Sequence, residues 1–182
     1  MKFIRTAIPD VVLIEPVVFE DARGGFLETY RRDEFAAHGI AGDFVQDNHS
    51  ISKRGVLRGL HFQSPPHAQA KLLRVVRGEA FDAVVDLRRG SPSYGKHISA
   101  VLSAANRRML YVPPGFAHGF LALADDTEFL YKASALYSPQ NERGLAWDDP
   151  DLAIEWPVSA APYALSEKDR RYPRLKDLQP IF

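Results

Sequence analysis

The 182-residue chain contains no cysteine. That excludes disulfides, thiolate nucleophiles and cysteine-based zinc sites, and it fits a reducing cytoplasm, which is the expected location. A surplus of charge is also missing. Lys+Arg and Asp+Glu number 23 each, for a formal net charge of +0. Proteins that hold nucleic acid or anionic membrane surfaces carry a basic excess, so neither partner is expected and anion recognition falls to a few placed arginines. No run approaches the ~20 apolar residues of a membrane span. The opening "MKFIRTAIPDVVLIEP" is interrupted by Arg5, Pro9 and Asp10, unlike the continuous apolar stretch of a signal peptide. Internal repeats, low-complexity tracts and linkers are absent as well, so one domain over residues 1–182 is expected.

What remains is a soluble-protein composition, 46% hydrophobic and 25% charged, in a chain long enough to bury one core. Its apolar residues come in short runs: "VVLIEPVVF", "FVQDNHSIS", "KLLRVV", "EAFDAVVDL", "KHISAVLS", "RMLYVP", "GFLAL" and "TEFLYKAS". Turn formers such as "RRGSPSYG", "PPG" and "DD" separate them. One short helix is predicted at "RDEFAAHG" with Gly39 as its stop, and a helical turn in "SEKDRRYPRLKDL" with Ser166 as its cap. Many short strands with a few short peripheral helices predict an all-β domain, a barrel or a two-sheet jelly roll, and a jelly-roll barrel is the expected form. In "EAFDAVVDL", Phe81, Ala83, Val85 and Leu87 alternate with Asp82 and Asp86, the pattern of a half-buried strand with its aspartates outward.

The stretch "GVLRGLHFQSPPHAQAKLLRVVRGE" (55–79) places Arg58, His61 and Lys71 among apolar residues, where charge is costly unless it is used. Lys71 shares a strand face with Leu73 and Val75. It is either a lysine that snorkels to solvent or an ammonium held in a cavity to stabilise an oxyanion. His61 shares a face with Gly59 and Gln63, and its reading depends on partners. His118 follows a rigid Pro-Pro-Gly turn in "VPPGFAHGF". Tyr131 is either an aromatic core residue or a hydroxyl at a site. Gln46 and Asn48 face one way on their strand, and Asp47 and His49 the other. Asp169 lies three residues after Ser166, as a helix-end carboxylate or as a partner that orients a histidine. Arg23 and Arg58 carry guanidinium groups suited to phosphate.

The segments "GLHFQ" and "VPPGFAHGF" resemble the two motifs of cupins, many of which bind a metal. Here Gln63 stands where a second histidine ligand would, and Lys71 falls among the would-be ligands, so no metal is expected. Together "DARGGFLETY", "QDNHSIS", "GVLRGLHFQ", "AKLLRVVRGE", "VPPGFAHGF", "EFLYKAS", "ERGLAWDDP" and "LSEKD" resemble, in order and over nearly the whole chain, the dTDP-4-dehydrorhamnose 3,5-epimerase family. That resemblance implies a cofactor-independent, metal-free cupin-type isomerase that works as a homodimer on a dTDP-sugar. It implies His61 as base, Asp169 as its dyad partner, Lys71 at the enolate oxygen and Tyr131 as proton donor. It further implies substrate contacts from Arg23, Glu28, Gln46, Asp47, Asn48 and Arg58, and from Lys71, His118, Glu142 and Lys168, with Tyr137 stacking on thymine. The chain departs from the family's usual residues at Ala70, Tyr111, Ser134 and Ala135. Ala135 and Leu136 adjoin Tyr137, so by the same resemblance these positions bear on base or sugar selectivity. Single-carbon epimerases of other deoxysugar pathways, and a non-catalytic cupin that binds a sugar nucleotide, are the alternatives.

Overall fold

The computed structural model describes residues 1–159 and 161–182. Thirteen strands alternate with tight turns: β1 (Lys2–Arg5), β2 (Val12–Glu15), β3 (Val18–Asp21), β4 (Gly24–Leu27), β5 (Gln46–Ser52), β6 (Leu57–Gln63), β7 (Lys71–Arg77), β8 (Glu79–Asp86), β9 (His97–Ser103), β10 (Met109–Val112), β11 (Phe116–Ala122), β12 (Thr127–Ala133) and β13 (Glu142–Gly144). One helix, α1 (Arg32–Ala37), forms where it was expected. It stops as predicted, with the Gly39 N–H donating to the Ala36 carbonyl from a positive φ of 83°. Strands β1, β4, β6 and β13 lie outside the predicted runs; β1, β4 and β13 are only three or four residues long, too short to show alternation, and β6 breaks its alternation with a register shift against β11.

The strands form a six-stranded antiparallel sheet, β1-β2-β10-β7-β12-β5, a five-stranded one, β13-β6-β11-β8-β9, and a separate β3–β4 ribbon. The expected jelly-roll barrel is not what forms. Among the described residues no strand belongs to both large sheets, so they stack as an open, cupin-like pair without closing. Alternation along a strand reads the same in a barrel and in a sandwich, because both bury one face of every strand. Pairing at the sheet edges is what separates the two, and that is not a local property.

The inner faces enclose a core of Leu73, Val75, Val84, Leu102, Phe116 and Phe129 with their neighbours. The outer face of the six-stranded sheet is covered by α1 through Phe35, which clusters with Ile14, Leu72 and Met109. The outer face of the five-stranded sheet is covered by the C-terminal segment, with Leu152, Trp156, Leu178 and Phe182 against Leu60, Ala83 and Val85. This overturns the reading of β8 as a half-buried strand. Both of its faces are buried, and Asp82 and Asp86 are fully enclosed (0% exposed). Among the described residues no helix is long and apolar enough to cross a membrane.

Candidate active site

The inter-sheet core is incomplete at one end, leaving a cavity of about 230 Å³. Its floor is Phe120 stacked on Phe129, with ring centroids 4.3 Å apart. Around it stand Arg58, His61 and His118 from the five-stranded sheet and Ser50, Lys71 and Tyr131 from the six-stranded one.

An irregularity in β6 aims two of these side chains. His118 on β11 pairs with His61, and Phe120 pairs with Arg58, so Gly59 and Leu60 together oppose Gly119. Arg58 and His61 are three residues apart and would point to opposite faces of a regular strand. The bulge turns both into the cavity. Glycine permits it: Gly59 has φ +132°, and a Cβ there would lie 2.5 Å from the Gly119 Cα. A second close approach lies behind His61, where a Cβ on Gly144 would meet the Tyr172 ring at 2.3 Å. That ring abuts His61 edge-on, with centroids 5.7 Å apart.

Asp169 reaches His61 from a 3₁₀ turn, Asp169–Arg171, with 2.5 Å between His61 Nε2 and Asp169 Oδ1. The Ser166 hydroxyl accepts from the Asp169 N–H at 3.1 Å, as its predicted capping role requires. The carboxylate itself is turned to the histidine. Burial pushes the Asp169 carboxyl up, but the hydrogen bond and charge of His61, the Ser166 contact and the Lys168 charge outweigh it and hold it below the usual range. Lys71 is pulled down to about 8 by burial, against the opposing pull of Asp82 and Glu142. Its ammonium lies 5.9 Å from the centre of the Tyr131 ring. Burial, then the charges of Glu142 and Tyr137, raise the Tyr131 phenol, with Arg58 acting against them. At neutral pH that hydroxyl keeps its proton.

At the mouth, Glu142 accepts from Lys168 Nζ at 2.6 Å and from the Tyr137 hydroxyl at 2.8 Å. The Tyr137 ring is 54% exposed, leaving a face open for stacking. Gln46 and Asn48 do share a face, where the Gln46 amide donates to Asn48 Oδ1 at 2.9 Å. Three expected contacts are not brought to the cavity within this chain. Asp47 points outward and pairs with Lys132 at 3.0 Å. Glu28 pairs with Arg31 at 3.5 Å. Arg23 stands at the tip of the β3–β4 ribbon, 91% exposed and paired with Asp21. Gln63 is occupied by backbone: its amide donates to the His67 and Leu136 carbonyls, and its oxygen accepts from the Ser138 N–H. No group of three His, Asp or Glu suited to a metal occurs among the described residues.

Two polar residues of this region were missed in the sequence. Ser50 lines the cavity with its hydroxyl buried and unpartnered. Asp82 lies on the inner face of β8, and its Oδ2 accepts from His118 Nε2 at 2.8 Å. The available signal was Ala80 and Val84, apolar residues on the same face as Asp82, which mark that side of the strand as buried too.

The sequence model described as dTDP-4-dehydrorhamnose 3,5-epimerase matches residues 5–177. A relative of that description from Pseudomonas aeruginosa is 54% identical over 172 residues, 94% of each chain. The crystal structure of dTDP-6-deoxy-D-glucose-3,5-epimerase from Legionella pneumophila, in complex with dTDP-4-keto-L-rhamnose, superposes with a TM-score of 0.94. It is 41% identical, over 98% of this chain and 94% of that one. A 3'-monoepimerase from Streptomyces bikiniensis, in complex with dTDP-quinovose, is similar at a TM-score of 0.88 and 37% identity, covering 94% of this chain and 86% of that one.

Proposed function

This chain belongs to the dTDP-4-dehydrorhamnose 3,5-epimerase family, and from that premise we propose how its own residues carry out the reaction. The enzyme epimerises carbons 3 and 5 of dTDP-4-dehydro-6-deoxy-D-glucose, giving dTDP-4-dehydro-L-rhamnose. The observation that carries the mechanism is the placement of an imidazole and a phenol on facing sheets with an ammonium between the same walls.

Carbons 3 and 5 both flank the ketone at carbon 4, so a proton on either is acidic. His61 uses Nε2 for Asp169, which leaves Nδ1 to take that proton. The C–H pair moves into the ring and onto O4, forming an enolate, and the imidazolium is stabilised by Asp169. The Lys71 ammonium meets the charge at O4, which gives that oxygen a cation without a metal. Tyr131 then delivers its proton to the opposite face of the same carbon. Its phenolate is reprotonated and His61 deprotonated by solvent before the second carbon reacts. Arg58 is placed for the diphosphate; its Nε donates to Ser52 Oγ at 3.1 Å and its Nη2 to the Ile51 carbonyl at 3.4 Å, and the side chain lines the cavity.

The working unit is a homodimer in this reading. Two-stranded ribbons are marginal in water. The β3–β4 ribbon stands apart from both sheets and exposes Phe19 and Phe26 at 63% and 71%. A second protomer that covers those rings brings Arg23 towards a cavity it does not reach in its own chain.

Incubating substrate with the enzyme in deuterium oxide tests the function. Deuterium at both carbons is expected. Label at carbon 3 alone would make the chain a single-carbon epimerase, and no label a binding protein without turnover.

A further inference from the structure

Asp82 has no role in the mechanism above, yet it is the most deeply enclosed charge at the cavity. It is 0% exposed, is joined to His118 on the neighbouring strand, and its charge and that of Lys71 act on each other. Oδ2 is taken by His118 Nε2 at 2.8 Å, whereas Oδ1 is buried without a hydrogen-bond partner. A buried carboxylate oxygen left open is costly, and a cation nearby is what offsets that cost. Lys71 is such a cation. Among the described residues it forms no direct ion pair, and its charge and that of Asp82 act on each other through the low-dielectric interior.

We propose that Asp82 is a positioning residue that serves as counter-ion to Lys71, anchored by His118, and keeps the Lys71 amine protonated in the free enzyme. The proposal rests on the epimerase reading, in which Lys71 must carry a proton to hold the enolate. The groups that face Lys71 are Asp82 from β8, His118 from β11, His61 and Arg58 from β6, Tyr131 from β12 and Glu142 from β13. Of these, Asp82 and Glu142 favour the ammonium. Glu142 is already neutralised by Lys168. Among the described residues Asp82 has no cation in direct contact other than a protonated His118.

Burial brings the Lys71 amine to about 8, so the charged form is lost as pH rises through that value. Removing the Asp82 charge lowers the midpoint further, and the alkaline limb of kcat/KM moves to lower pH. The direct readout is the ¹⁵Nζ resonance of Lys71 in lysine-labelled full-length enzyme, assigned by its loss in Lys71→Met. Asp82→Asn is expected to lower the Lys71 midpoint by about one pH unit, with an equal shift in kcat/KM. An unchanged midpoint overturns the proposal. A measurement on the wild-type chain covers the case in which Asp82→Asn does not fold. The ¹³Cγ resonance of Asp82 should inflect at the Lys71 midpoint, and that inflection should vanish in Lys71→Met. A wild-type Asp82 resonance that ignores the Lys71 titration also overturns it. Full turnover by Lys71→Met would instead remove Lys71 from the mechanism and leave the Asp82 coupling to be judged on the resonances alone.

Discussion

Two histidine–aspartate pairs stand side by side at one cavity, on neighbouring strands and in register, yet they are built to opposite ends. His61–Asp169 ties a strand to a turn more than a hundred residues later; its imidazole is 29% exposed and its carboxylate 4%. His118–Asp82 ties one strand to its neighbour in the sheet, with side chains 8% and 0% exposed. Asp169 also has Ser166 and Lys168 in attendance and is held below the usual carboxylate range. Asp82 is dominated by burial and pushed above it, despite His118 and Lys71. In the proposed mechanism the same two residue types thus serve as a base open to the cavity and an anchor held within the sheet. Access, and the number of other donors serving the carboxylate, make the difference.

Replacing each histidine breaks the comparison most sharply. His61→Ala should remove both solvent-proton exchange and product, a loss of about three orders of magnitude for a missing general base. His118→Ala should lose about ten- to a hundredfold, as for a hydrogen bond to a charged group, while exchange persists. Equal losses of exchange in the two variants would mean that both imidazoles act as bases.

Lys71→Met asks which pair depends on the ammonium between the sheets. It should keep the fold and lower kcat by about two orders of magnitude, the scale of a lost oxyanion contact. Steady-state kinetics beside circular dichroism would show this, and near-normal turnover would end the role.

Tyr131→Phe separates proton removal from proton return. His61 and Asp169 remain, so substrate protons should still wash into deuterium oxide, while epimerised product falls by about two orders of magnitude. Unimpaired product formation would make Tyr131 an aromatic wall and assign the acid to water or another group.

The smallest effect lies in stability against pH. Asp169 is depressed in the folded chain, so its contribution is present above its unfolded pKa and lost as pH falls through the folded value. Asp169→Asn should therefore cost about 1 kcal/mol at pH 7 in urea unfolding at fixed protein concentration, and less in acid. Asp82 is raised, so its contribution is present below the unfolded pKa and fades as pH rises through the folded value. Asp82→Asn should show the reverse trend, costing more at pH 4 than at pH 7. Parallel trends would erase the distinction between the two carboxylates.

Most of the longer strands, the stop of α1 at Gly39 and the placing of Lys71 with Leu73 and Val75 on one face were legible in the sequence, because they follow from periods of two and from the backbone freedom of glycine. The site residues His61, Lys71, His118, Tyr131 and Asp169 were legible through motifs, and the chain does gather them at one place. Arg58 and His61 could not both be aimed inward from their spacing, since the bulge at Gly59 and Leu60 depends on the register with β11. Nor could the direction of Asp82 be read. Alternation divides a strand into two faces without saying what covers each one. On β8 the C-terminal segment buries the apolar face, and the opposite sheet buries the acidic one. Local geometry, then, is written residue by residue. Whether a carboxylate ends as a solvated surface group, a dyad partner or a buried counter-ion depends on what distant segments bring against it, because desolvation and charge coupling are set by every atom nearby and not by sequence neighbours.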